Sequence, residues 1–292
     1  MSWVAAYTAV IGKDDKSIDL SAWVTLTNQS GAGYPNAELK LVAGDVNRAP
    51  QRETTTLADV TVDSASEVQQ QAGFKEKSFF EYHMYTLGRP TTLPDHSIKQ
   101  IELFAPAVGV PARKVFVYFG GNPWYDYGSP YTDRNYGNSG NKKVDIYIEF
   151  KNGQNEGLGI PLPAGRIRVH KADDDGSLEL IGEDRIDHTP KDETLRLKLG
   201  SAFDIVGEHK QVDFKSDYDA HWIEETYEIK LRNHKAEDVE VLVKEVLFRW
   251  VNWTVTKKSH DFVKDDAHTV IFPVKVKKDG ESVLTYTVKY TW

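Results

Sequence analysis

The run GEDRIDHTPKDE, residues 182–193, carries the densest set of ionisable side chains in the sequence. Glu183, Asp184, Asp187 and His188 are of the types that supply an acid, a base and an orienting group, because carboxylates tuned to different pKa values and an imidazole can share proton transfer. Their spacing argues otherwise. On an extended strand Glu183, Arg185 and Asp187 face one side, while Asp184, Ile186 and His188 face the other. The pattern predicts Arg185 bridged to its two flanking carboxylates, a structural ion-pair cluster, with a hydrolase built on Glu183, Asp184, Asp187 and His188 as the catalytic alternative.

A second stretch, GGNPWYDYGSPYTDRNYGNSGN at 120–141, has one Trp and four Tyr among Gly, Asn, Ser and Asp, with almost no aliphatic residue. Such a composition builds no core of its own. Aromatic side chains bring large contact area at low entropic cost, and saccharide rings stack on their faces. Trp124, Tyr125, Tyr127, Tyr131 and Tyr136 are therefore the candidate ligand-binding residues. The competing expectation is that two or three of them pack against a neighbouring sandwich and pin the loop.

The remaining motifs are bland. Nine histidines stand singly and none forms H-E-x-x-H. KADDDGSLE offers Asp173, Asp175, Gly176 and Glu179, but an EF-hand sets its bidentate Glu about twelve positions from the first ligand, and that count from Lys171 reaches Gly182. A hairpin tip is expected there. No nucleophile elbow or phosphate loop is present. GLGIPLPAG at 157–165 carries Pro161 and Pro163, which prevent a helix from opening behind its glycines, and it reads as a rigid crossover. No catalytic residue, metal site or cofactor is expected.

These groups must be positioned by strands. Period-2 alternation recurs along the chain: Leu284, Tyr286, Val288, Tyr290 and Trp292 share one face of VLTYTVKYTW, and VDIYIEF, TYEIKLRN and TLRLKLG repeat the pattern. The polar segment 57–71 lacks a broad apolar stripe and reads as a long loop. Asp175-Gly176, Asp279-Gly280 and, less specifically, Lys13-Asp14-Asp15-Lys16 are placed as hairpin turns. A weak repeat aligns three strands that exit at Asn28, Asn152 and Asn233. Each is followed by another alternating strand and later by a turn at Pro94-Asp95, Lys191-Asp192 or Lys278-Asp279 that opens one more. The expected fold is all-β, as tandem immunoglobulin-like antiparallel β-sandwich modules at 1–112 (with a long polar loop near 44–76), 113–205 and 206–292, with strand exchange between neighbours allowed.

Composition sets the outer bounds. The 292 residues are 40% hydrophobic and 11% aromatic, enough for packed cores. The net charge is −8, with 36 Lys and Arg interleaved among 44 Asp and Glu, which argues against a nucleic-acid backbone partner. Cysteine is absent, removing disulfide and thiolate chemistry. No apolar run is long enough to span a bilayer. MSWVAAYTAVIGKDD lacks the n- and h-regions of a signal peptide and opens in mid-strand, so a leader absent from this chain is expected.

GDVNR at 44–48, KSFFEYHMYTLGRPTTL at 77–93, GLGIPLPAG, GEDRIDHTPKDE with VGEHKQVDF behind it, and the closing VLTYTVKYTW together resemble one bacterial group. It is the C-terminal domain-of-unknown-function family of mucoidy-inhibitor-A-like proteins, and the resemblance runs from Ser2 to Trp292. It implies an exported protein, periplasmic or extracellular, whose usual member has a further N-terminal region, and it carries over no catalytic residue. The loop at 120–141 is longer than the family pattern. The resulting expectation is a non-catalytic structural or protein-interaction module of the cell envelope or exterior. A protein partner or homo-oligomer would join through exposed sheet edges, notably the strand ending at Trp292. The alternative is a glycan-binding module using the aromatic loop.

Overall fold

The computed structural model of the chain describes residues 1–44, 73–121, 125–137 and 140–292; the segment 57–71 and Trp124 lie outside them. The chain is all-β, and every regular element among the described residues is a strand. In order these are β1 (Ser2–Ile11), β2 (Ser17–Asn28), β3 (Tyr34–Ala37), β4 (Lys40–Ala43), β5 (Phe74–Phe79), β6 (Tyr82–Leu87), β7 (Thr91–Leu93), β8 (Ser97–Phe119) and β9 (Lys143–Lys151). There follow β10 (Gly165–Ala172), β11 (Leu178–Ile186), β12 (Thr194–Asp217), β13 (Trp222–Asn233), β14 (Val239–Val246), β15 (Trp253–Lys258), β16 (Val263–Lys264), β17 (Thr269–Val276) and β18 (Gly280–Thr291).

The chain divides into two compact units, each assembled from two segments: Met1–Arg113 with Glu149–Leu197, and Lys114–Ile148 with Lys198–Trp292. The sequence pattern predicts three consecutive modules; the division instead falls inside β8, β9 and β12, each of which begins in one unit and ends in the other. At 23 and 24 residues, β8 and β12 far exceed the usual strand of about 5–6. A boundary inside a strand needs no turn residue, so composition does not mark it.

The first unit is built on the sheet β11-β10-β1-β2-β8, in which β1 runs antiparallel to β2 and parallel to β10. Alternation sorts its side chains. Tyr7, Ala9, Leu20, Val24, Ile167 and Val169 lie buried on the inner face, leaving Ala6, Thr8, Trp23, Arg166 and Arg168 on the outer one. Close approach of β1 and β10 requires Gly165, whose Cβ would lie 2.4 Å from the Ala5 carbonyl oxygen. The proline-rich segment leading into β10 is tied down where Tyr7 donates to the Pro163 carbonyl (2.6 Å) and Tyr85 to that of Pro161 (2.9 Å).

In the second unit β12-β13-β18-β15 form one row, and β8, β14, β17 and β16 another. Tyr227, Ile229, Leu284 and Tyr286 from the first row meet Val241, Val243, Phe272 and Val274 from the second in one buried core. The strand ending at Trp292 is not an edge: β18 is hydrogen-bonded to β13 on one side and to β15 on the other. Side chains that alternate cleanly between faces say nothing of lateral neighbours, which explains the mistaken expectation.

The weak repeat has a physical basis. Asn28, Asn152 and Asn233 are all buried, and each donates its side-chain amide to carbonyls of two separate turns. Asn28 reaches Ala32 and Pro94, Asn152 reaches Ile160 and Pro190, and Asn233 reaches Glu237 and Lys277. Two residues past the far acceptor stand His96, Asp192 and Asp279, all with positive φ. Each clamp thus fixes the turn that starts the next strand.

Candidate functional site

The outer face of the first unit carries an open groove of about 760 Å³. One row of directly opposed residues crosses it: Arg185 on β11 faces Arg166 on β10, Arg166 faces Ala6 on β1, and Ala6 faces Trp23 on β2. Neighbouring strands lie about 4.8 Å apart, so Arg166 and Trp23 stand roughly 10 Å from each other across the small Ala6 side chain. A floor of one methyl group between a guanidinium bank and an indole bank is what makes the groove. Arg168, Thr8, Thr25 and Gln100 line it further along, and Asp187 lies at its β11 end.

Its charges differ from the sequence expectation. Glu183 is spent across the sheet on Arg168 (3.0 Å) and Arg166 (3.5 Å), not on Arg185. The reason is geometric: residues two apart on one strand are separated by two rises, whereas the directly opposed position on the neighbouring strand is nearer, and Arg168 is opposite Glu183. Arg185 is exposed and makes no side-chain ion pair or hydrogen bond among the described residues. It instead stands opposite Arg166, and like charges in that position repel. His188 accepts the Ala164 backbone N–H at Nδ1 (3.1 Å). Among the described residues no three His, Asp or Glu side chains are grouped to hold a metal ion.

The aromatic loop belongs to the second unit, and its four described tyrosines are half-buried. Tyr131 stacks on Tyr136 (4.9 Å between centroids), Tyr136 leans on Phe248 (5.7 Å), Tyr125 meets Tyr127 (4.8 Å), and Tyr127 covers His268 (4.2 Å). The backbone is held from beneath by Arg249, which donates to the carbonyls of Tyr131 (2.9 Å) and Asp133 (2.8 Å) while its Nε donates to Glu225 (2.7 Å). The rings are thus turned largely on one another and on the unit that carries them.

Behind the start of this loop the His209 Nε2–H donates to Glu245 (3.1 Å), and the Tyr286 hydroxyl donates to the same carboxylate (2.6 Å). Gly120 is required here, since a Cβ would lie 2.4 Å from the imidazole. Burial alone would lower the His209 pKa, but the charge of Glu245, its hydrogen bond and the charge of Glu225 together raise it above the ordinary value. A raised folded-state pKa gives stability that is full below about 6.5 and is lost as pH rises through the shifted value. Urea titrations between about pH 6 and about 9 are therefore expected to show wild type losing stability that His209→Gln lacks throughout; parallel pH profiles would refute this linkage.

No family model, curated protein or solved structure matches the chain. Trp23, Arg166 and Arg168 escaped sequence reasoning although a signal was there. In GRIRVH the two arginines alternate onto one face, and in AWVTLTN the indole shares the polar face with two threonines.

Proposed function

We propose that the chain is a non-catalytic binding module built of immunoglobulin-like sandwiches, as its strand and turn spacing suggests, that it works in the bacterial envelope or exterior, as its resemblance to the mucoidy-inhibitor-A-like family implies, and that the groove of the first unit is its working surface. The carrying observation is the row Arg185, Arg166, Ala6 and Trp23, in which a guanidinium without a partner among the described residues stands opposite a second one and faces an indole across an open floor. An exposed guanidinium with no ion-pair partner among the described residues favours an anionic ligand, and the indole across the floor favours one with a flat face. Catalysis is not favoured, because Glu183 is neutralised by two arginines and the His188 Nδ1 is occupied by a backbone N–H.

The sheet edge is a weaker surface. β11 pairs with β10 alone among the described residues and exposes Leu178 and Leu180, but a bulge opposite Val169/His170 and the acids Glu179, Glu183 and Asp184 blunt it against strand addition. The test is an array of glycans and peptides probed with wild type and with Arg185→Gln/Trp23→Leu. Wild type is expected to retain ligands that the double variant loses while both remain folded by circular dichroism, and retained ligands should keep their length. Equal retention by the two proteins refutes the groove; shortened ligands refute the absence of catalysis.

A further inference from the structure

Resting on the groove as the binding surface, we propose that its ligand is a carboxylated saccharide chain, of the uronic-acid type. Three features of the groove select that class together. Arg166 and Arg185 stand at directly opposed positions, Arg166 engaged by Glu183 and Arg185 exposed with no ion pair among the described residues, and guanidinium recognises carboxylate with two parallel N–H donors. A ligand carboxylate against Arg185 gives it the charged partner it lacks among the described residues. Trp23 supplies an apolar plane on the opposite bank, at about the width of one pyranose ring, and such rings lay their C–H face on indole. Thr8 between the two banks, with Gln100 beyond Trp23 and Asp187 at the β11 end, then supplies donors and acceptors for hydroxyl groups.

An acidic peptide fits less well. β10, β1 and β2 are each hydrogen-bonded on both sides, so the groove offers no free strand edge to a peptide backbone. Nucleic acid fits worse, since Arg166, Arg168 and Arg185 set against Glu183 and Asp187 leave little positive charge to neutralise a phosphate backbone.

Titration calorimetry with polygalacturonate, dextran and polyglutamate decides the matter, using the full chain and the variants Arg185→Gln, Trp23→Leu and Arg232→Gln. Arg232 pairs with Glu208 in the second unit and serves as a control for general charge. Polygalacturonate is expected to bind, dextran not to bind, and polyglutamate to bind far more weakly. Arg185→Gln and Trp23→Leu should each weaken polygalacturonate binding about tenfold, with Arg232→Gln unchanged. Raising ionic strength from about 0.05 to about 0.5 M should weaken it further. Polyglutamate bound as tightly, with the same sensitivity to Arg185→Gln, would leave the groove standing and overturn the saccharide. Polygalacturonate bound equally by wild type and Arg185→Gln would overturn the groove itself. No binding of polygalacturonate by wild type would also overturn the inference. Arg185 is exposed, so its variant folds even where loss of the half-buried Trp23 disturbs the sheet.

Discussion

Arg249→Leu is expected to cost about 3–5 kcal/mol of stability, several times what an exposed ion pair contributes. Both side chains of the Arg249–Glu225 pair are 0% exposed, so removing the guanidinium leaves Glu225 as an uncompensated charge in the interior. The loss does not stop there, because the carbonyls of Tyr131 and Asp133 also give up their donor. The guanidinium further lies 5.0 Å from the Phe214 ring centroid and 5.2 Å from that of Phe248, packing that a smaller side chain forfeits. Arg249→Lys should recover only part of the loss, since a point charge cannot serve a carboxylate and two carbonyls in one plane. Adding Glu225→Leu to Arg249→Leu should restore stability by removing the stranded charge, while the loop from Tyr125 to Gly137 stays more open to proteolysis. Urea unfolding reads the first effect and limited proteolysis the second. A single-variant loss below about 1 kcal/mol would show that Glu225 finds water or a proton without penalty.

The same contact explains what is legible in the sequence and what is not. Alternation at Leu284, Tyr286, Val288 and Tyr290 identifies a strand because burial on one face leaves a period in the sequence. Tyr131 and Tyr136 are recognisable as unusual but not as pinned, since the pinning residue is Arg249, more than a hundred positions away. Arg185 likewise reads as the partner of the carboxylates beside it in sequence, although its neighbours are set by the register of β11 on β10. Periodicity is a local property and lateral pairing is not. The groove combines residues from β1, β2, β10 and β11, so its parts lie in view in the sequence while their meeting does not.

The asparagine repeat is the exception, a long-range contact that does leave a local trace, and it supports a sharp ordering of variants. Asn233→Ala is expected to cost about 2–3 kcal/mol, because the buried amide donates to the carbonyls of Glu237 (2.8 Å) and Lys277 (3.1 Å) and accepts the Lys235 N–H (3.0 Å). Asn233→Asp keeps the shape and the acceptor but replaces the donor with a second oxygen facing those carbonyls. It should therefore cost more than alanine at neutral pH, and the difference should shrink in acid as the carboxyl regains a proton to donate. Asn28 and Asn152 make the equivalent bonds in the first unit, so the same order, Asp worse than Ala, is expected at all three sites. Urea midpoints for the six variants test it. If aspartate proves the milder replacement, the donated hydrogen bonds are not what holds these turns, and the repeat preserves side-chain volume instead of a clamp.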